Sequence, residues 1–156
     1  TPVQIRPPAS AVILMKFLAQ HCDYIRWKVR KRVKNSFSEE PEIRERKVED
    51  CLVLFLCVEY GDLENGERMI GSAAEEIDEI AKKLKVRKLV IFPFAHLFPD
   101  GGLEDPILAF EMICRVGEVL KSKGYEVERV PFGWYKMYEL KCKGHPLSVL
   151  SRVVRN

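Results

Sequence analysis

The run Cys51-Leu52-Val53-Leu54-Phe55-Leu56-Cys57-Val58 is apolar without a break and stops at Glu59. A strand that keeps one face wet alternates; this one does not, so it has to be covered on both faces. That requirement calls for helices packed on a sheet, and the flanking sequence supplies them. After the run, a helix is expected with Ile70, Ala73, Ala74, Ile77, Ala81 and Leu84 along one side. Glu75, Glu76, Asp78 and Lys82 fall on its other side. Lys88 to Phe92 reads as a second buried strand, stopped by Pro93. Asp105 followed by Pro106 is a helix start, an N-cap acid and then a first-turn proline, and Gly124 marks where that helix should end.

The remaining elements fit around this frame. Lys16 to Cys22 reads as a short, mostly apolar strand. Tyr24 to Lys34 alternates, with Ile25, Trp27, Val29 and Val33 on one face and Arg26, Lys28, Arg30, Arg32 and Lys34 on the other. Lys31 is the exception on the apolar side. The two segments are expected to form a hairpin whose outer face is basic. Asn35 to Arg46 is polar and acidic with Pro41 inside it, and reads as a loop. Glu126 to Val130 and Tyr135 to Cys142 read as strands, and a last helix is expected from Pro146 to about Val154. The result is an α/β fold, a single mixed-sheet domain with helices packed on the sheet, expected over residues 15–156. Residues 1–14, with three prolines and no periodicity, are expected to be an extension of unassigned role. A chain of 156 residues that is 47% hydrophobic and 31% charged suits one domain with a real core.

Charge is segregated along the chain. Residues 1–34 carry a net +7, residues 35–80 a net −10 and residues 81–156 a net +6, within a total of only +3. A surface that attracts phosphate on one side fits this distribution, and so does a set of solvated faces. No apolar run approaches the ~20 residues that span a bilayer. The opening residues lack the charged n-region and long apolar stretch of a secretory signal, so no membrane association and a cytoplasmic location are expected. The five cysteines are odd in number and show no two-residue spacing, so neither a zinc knuckle nor a disulfide framework is signalled.

Phosphate-binding glycine loops, dinucleotide fingerprints and a Gly-x-Ser-x-Gly elbow are absent, and His21, His96 and His145 lack metal-ligand spacing. Two segments remain. Pro93-Phe94-Ala95-His96 follows a buried strand directly, where open α/β sheets place ligands. Pro131-Phe132-Gly133-Trp134-Tyr135-Lys136 joins two strands and combines rings that stack on bases, a glycine and a lysine suited to phosphate or water. A structural turn rich in core aromatics explains the second segment equally well.

Taken in order, these motifs resemble the N-terminal editing domain of archaeal threonyl-tRNA synthetases. The resemblance rests on His21-Cys22-Asp23-Tyr24-Ile25, Val58-Glu59 and Phe92-Pro93-Phe94-Ala95-His96-Leu97. It continues through Pro131 to Lys136, Cys142-Lys143-Gly144-His145-Pro146-Leu147 and Leu150-Ser151-Arg152, covering residues 15 to about 152. It implies a D-aminoacyl-tRNA deacylase-like fold, a homodimer, and no metal or organic cofactor. The implied activity is hydrolysis of serine mischarged on threonine tRNA, with the synthetase catalytic body as a partner in cis or in trans. Serine and threonine differ by one methyl, a discrimination of roughly 1–3 kcal/mol in a binding site, so a second site adds the missing accuracy.

Residue by residue, the resemblance makes Lys136, His96 and Tyr135 the catalytic candidates, with Lys136 beside the scissile ester. Val58, Pro93 and Ala95 match positions whose backbone holds the seryl-adenosine moiety, with Glu59 and Phe94 as neighbours. Phe132, Gly133 and Trp134 match the segment near the terminal adenosine, with tryptophan in place of an expected tyrosine. Ala109 falls where the adenine pocket has a small residue. Val149 stands where the family stretch Gly-His-Pro-Leu-x-Glu-Leu-Ser-Arg has glutamate. If that glutamate were an obligatory general base, the domain would be a non-hydrolytic module binding the tRNA 3′ end. If the adenosine 2′-hydroxyl orients the water, activity survives.

Overall fold

The apolar run is the inner half of a longer strand. In the computed structural model, which describes residues 14–59, 63–94 and 105–155, the chain forms β1 (Leu14–Arg32), β2 (Glu45–Val58), α1 (Leu63–Leu84), β3 (Lys88–Pro93) and α2 (Pro106–Ser122). It ends with β4 (Glu126–Arg129), β5 (Trp134–Cys142) and β6 (Val149–Arg155). Residues 1–13 of the expected extension lie outside the described residues. The six strands make one mixed sheet in the order β4-β3-β2-β1-β5, with β6 also paired to β1. β2 and β3 are parallel across α1, and β3 and β4 are parallel across α2. β1 is antiparallel to β2, β5 and β6.

The helices form where their sequences dictate. Ala73, Ala74, Ile77 and Ala81 of α1 are fully buried against the sheet, as the 3.6-residue period requires. The Asp105 carboxylate accepts from Ile107 N at 3.0 Å and Leu108 N at 3.2 Å, satisfying two N–H groups that the first turn leaves open. Past the end of α2, Gly124 takes φ +99°, a conformation that costs glycine little. Among the described residues no helix is long and apolar enough to cross a membrane.

Two expectations are corrected. The predicted hairpin of Lys16–Cys22 and Tyr24–Lys34 is a single strand, β1, which carries β2 along one side and shares its other side between β6 and β5. Register shifts against β5 fall between Cys22 and Tyr24 and between Val29 and Lys31. The second shift breaks the five-residue basic stripe: Arg32 pairs with Trp134, and Lys31 pairs with exposed Tyr135. The predicted last helix is strand β6. Pro146 and Leu147 make a turn, and Val149, Val153 and Val154 are β-branched residues that suit a pleated surface. Antiparallel pairing to the first half of β1 alternates them between faces.

The core is divided in two by the sheet. Met15, Phe17 and Ala19 of β1 join Leu52, Leu54, Leu56 and Val58 of β2 beneath the helices. Ile25, Trp27 and Val29 join Val53, Phe55, Val90 and Phe92 on the opposite face. β6 offers a test of its own alternation. Val154 is 1% exposed in the helix-side core, whereas Val153 is 40% exposed. We expect Val154→Asp to cost at least about 3 kcal/mol, because an unpaired carboxylate would be buried, and Val153→Asp to cost under about 1 kcal/mol. Urea unfolding of the two variants measures the difference, and equal losses would contradict the strand.

Candidate active site

The C-terminal ends of the parallel strands β2 and β3 open into a cleft of about 500 Å³. Its floor is Leu56, Cys57 and Val58 from β2 with Phe92 and Pro93 from β3. Ala109 and Ile113 of α2 close one side, and residues 132–136 close the other. The sheet curls to make this possible. Phe92 of β3 and Tyr138 of β5 have ring centroids 4.8 Å apart at an edge-on angle, although β2 and β1 lie between their strands in the hydrogen-bonded order. Phe55 lies 5.0 Å from Phe92 and 5.8 Å from Phe94, so three aromatic rings back the cleft from β2 and β3.

Period-2 alternation along β5 decides which side chains enter. Trp134, Lys136 and Tyr138 share the inner face, and Tyr135 points to the other, 59% exposed at the cleft rim. The Lys136 ammonium donates to Pro131 O at 2.8 Å and lies 5.1 Å from the centroid of the Phe92 ring. Burial lowers its pKa to about 8; nearby Glu39 works against that shift and Arg129 with it. The amine therefore gives up its proton more readily than an ordinary lysine, while staying mostly protonated at neutral pH.

Residues 131–134 are held from outside the cleft. Gly133, at φ +84°, packs so closely on the preceding loop that a Cβ would lie 2.3 Å from Phe37 O and 2.5 Å from Ser38 Cα, so only glycine fits. Phe132 lies in a cluster with Phe37 and Phe110 of α2, at 6.1 Å and 5.5 Å. Trp134 is covered by the guanidinium groups of Arg32 at 4.6 Å and Arg44 at 5.3 Å, and Glu40 binds both arginines.

Nine of the residues singled out by the sequence thus line one cleft: Val58, Pro93, Phe94, Ala109, Phe132, Gly133, Trp134, Tyr135 and Lys136. Glu59 does not line it; it is buried with a carboxylate oxygen 3.1 Å from Lys16 Nζ, an ion pair below the strand end. Ala95 and His96 lie outside the described residues. Leu56, Phe92 and Tyr138 were missed because in sequence they are indistinguishable from core. Tyr138 alone carried a signal, being two residues from Lys136 on an alternating strand. Among the described residues no group of three or more histidines, cysteines or acids could hold a metal ion.

The shifted lysine makes a stability prediction. An amine whose folded pKa is near 8 and whose unfolded pKa is about 10.4 binds fewer protons folded than unfolded between those values. Its contribution to stability should therefore rise as pH climbs from about 8 to about 10.4. Urea midpoints of the wild-type protein should gain on those of Lys136→Met across that window. A constant difference would show that the amine titrates normally.

Comparison with known proteins places the chain. The archaea-specific editing domain of threonyl-tRNA synthetase matches residues 15–154. The threonine–tRNA ligase of Methanopyrus kandleri is 46% identical over 140 residues, covering 90% of this chain and 22% of that protein. That of Thermococcus gammatolerans is 42% identical over 141 residues with the same coverage. The chain thus spans about a fifth of the length of these relatives. Among solved structures, a probable eukaryotic D-amino acid tRNA deacylase aligns with a TM-score of 0.58 at 8% identity, over 92% of this chain and all of that one. The c-Myc DNA unwinding element binding protein aligns with a TM-score of 0.57 at 13% identity, over 88% and 97% of the two chains. These two share the fold. With the family match spanning nearly all of the described residues, the chain belongs to the archaea-specific editing domain of threonyl-tRNA synthetase.

Proposed function

We propose that this domain hydrolyses the ester that joins L-serine to the terminal adenosine of threonine tRNA, and spares the threonyl ester. The observation that carries the reading is the cleft itself: an apolar pocket at the ends of parallel strands, with one half-buried amine, in a chain of the editing family. Phe132 and Trp134 supply rings for the adenosine, and Val58 and Pro93 supply rigid backbone for the aminoacyl group. A wall made of strand ends cannot yield to an extra methyl without disturbing β2–β3 pairing, which is how size is read.

Chemistry in such a pocket needs a positioned water and relief of charge on the ester oxygen. The adenosine 2′-hydroxyl lies next to the scissile bond and orients the water, with the effective concentration that an intramolecular neighbour brings. Lys136 acts in its protonated form, as a donor that supports the developing oxyanion. No protein base is required. The departure at Val149 supports this reading over a non-hydrolytic module: Val149 lies on β6 opposite Gln20, 50% exposed, and is not among the described residues lining the cleft. The domain works as a homodimer without metal or organic cofactor, serving a synthetase body in cis or in trans, in the cytoplasm.

Single-turnover release of serine from mischarged threonine tRNA tests the proposal, with threonyl-tRNA and D-aminoacyl esters as controls. Seryl-tRNA should be cleaved much faster than threonyl-tRNA, and equal rates would refute selection by size. Lys136→Met should slow serine release about tenfold, less than the roughly 10²–10³ lost with a sole oxyanion donor, because the substrate hydroxyl shares the work. Since the donor is the protonated amine, the ratio of wild-type to Lys136→Met rates should fall toward one as pH rises through about 8. A ratio that grows with pH would make the lysine a base instead.

A further inference from the structure

The wall of the cleft is also bonded by a residue that does not line it. We propose that Glu39, in the loop between β1 and β2, is the positioning residue of this site, fixing the 131–134 segment and through it Trp134 and Lys136. The inference rests on the reading of the cleft as an ester-hydrolysing pocket. Glu39 bonds that segment with both its side chain and its backbone. Its carboxylate accepts from Phe132 N at 2.7 Å and from both terminal nitrogens of Arg129 in a fork. Its backbone N–H donates to Phe132 O at 3.1 Å, and its carbonyl accepts the Trp134 indole N–H at 2.8 Å.

These contacts form a strap across the turn, beside the bond from Val33 N–H to Gly133 O at 2.9 Å. Arg129, at the end of β4, is clamped between the Glu39 carboxylate and the ring of Phe110, 5.1 Å away. Pro131, two residues on, offers the carbonyl that receives the Lys136 ammonium. The chain of contacts therefore runs from Glu39 to Arg129 and Phe132, and from the 131–132 backbone to the lysine. Gly133 packed on Phe37 and Ser38 brings the strap close enough for this bonding. Glu39 also acts electrostatically, since its charge favours the protonated form of Lys136 against burial. A bidentate arginine–carboxylate pair that also takes a backbone N–H fixes orientation better than a single bond would. Catalytic geometry is sensitive to such supports, with displacements near 1 Å costing about a hundredfold in rate.

Glu39→Gln and Glu39→Ala test the assignment in the full chain. The glutamine keeps an acceptor for Phe132 N–H and loses the charge; the alanine loses both. Far-UV dichroism and melting establish that each variant folds, and the glutamine variant decides the matter if alanine prevents folding. Three quantities are then read: exchange of the Phe132 amide and Trp134 indole protons, the Lys136 titration midpoint from labelled lysine ε-carbons, and single-turnover serine release. We expect the Lys136 midpoint to fall below that of the wild type in both variants. Exchange at Phe132 and Trp134 should quicken in alanine and less in glutamine. The maximal rate should drop about tenfold or more in alanine, with glutamine recovering part of it. Unchanged exchange and an unchanged midpoint in folded variants would overturn the role. So would full serine release from an alanine variant that has lost the Phe132 protection. If the wild-type protein releases no serine, the hydrolytic reading fails, while exchange and titration still decide whether Glu39 sets the cleft.

Discussion

The structure depends on a reversal of faces in the middle of its two longest strands. In β1 the odd-numbered Met15, Phe17 and Ala19 face the helices, yet the odd-numbered Ile25, Trp27 and Val29 face the other core. With a side-chain period of two, this is possible only if one extra residue intervenes. Asp23 is that residue against β5, where the register shifts between Cys22 and Tyr24. β2 reverses at the same level: Asp50 takes φ +47°, and Cys51 and Val48, three residues apart, both face the second core. The Lys143 ammonium binds Asp23 at 2.6 Å and reaches Asp50 at 3.5 Å, so a cation from the end of β5 bridges the two strands at the point of reversal. This site is exposed, and its role is geometric rather than a large store of energy.

The reversal allows one sheet to carry two cores. Its first half supports α1 and α2; its second half curls until β5 stands over β3 and Tyr138 meets Phe92. The curl closes the cleft from the β5 side and carries Lys136 into an environment of rings. Burial is what moves the amine's pKa down toward 8, and burial here is a product of sheet curvature, not of any local motif. The same curvature leaves the Arg26, Lys28 and Lys31 face of β1 exposed, outside the lining of the pocket.

The loop before β2 bonds the turn that closes the cleft. Glu39 and Glu40 act on opposite sides of Trp134: one accepts its indole N–H through the backbone, and the other holds the two arginines that cover its ring. The tryptophan that replaces the tyrosine expected from the resemblance brings the N–H that this arrangement uses. An acidic loop, which composition reads as a solvated connection, bonds the wall of the cleft.

What the sequence determined by itself was local. The unbroken run through Val58 demanded cover on both faces, the α1 periodicity chose which face to bury, and Asp105 and Pro106 placed the start of α2. Each of these follows from propensity, capping or periodicity within a few residues. Tertiary structure decided the rest. That Val149 to Arg155 is a strand depends on a free edge of β1 lying beside it, which no window of that segment contains. That Lys31 and Arg32 exchange faces depends on a shift measured only against β5. That Glu39 bonds to Phe132 and Trp134, and that Phe92 and Tyr138 share a wall, depends on contacts between residues far apart in the chain, which only the closed sheet brings within bonding distance.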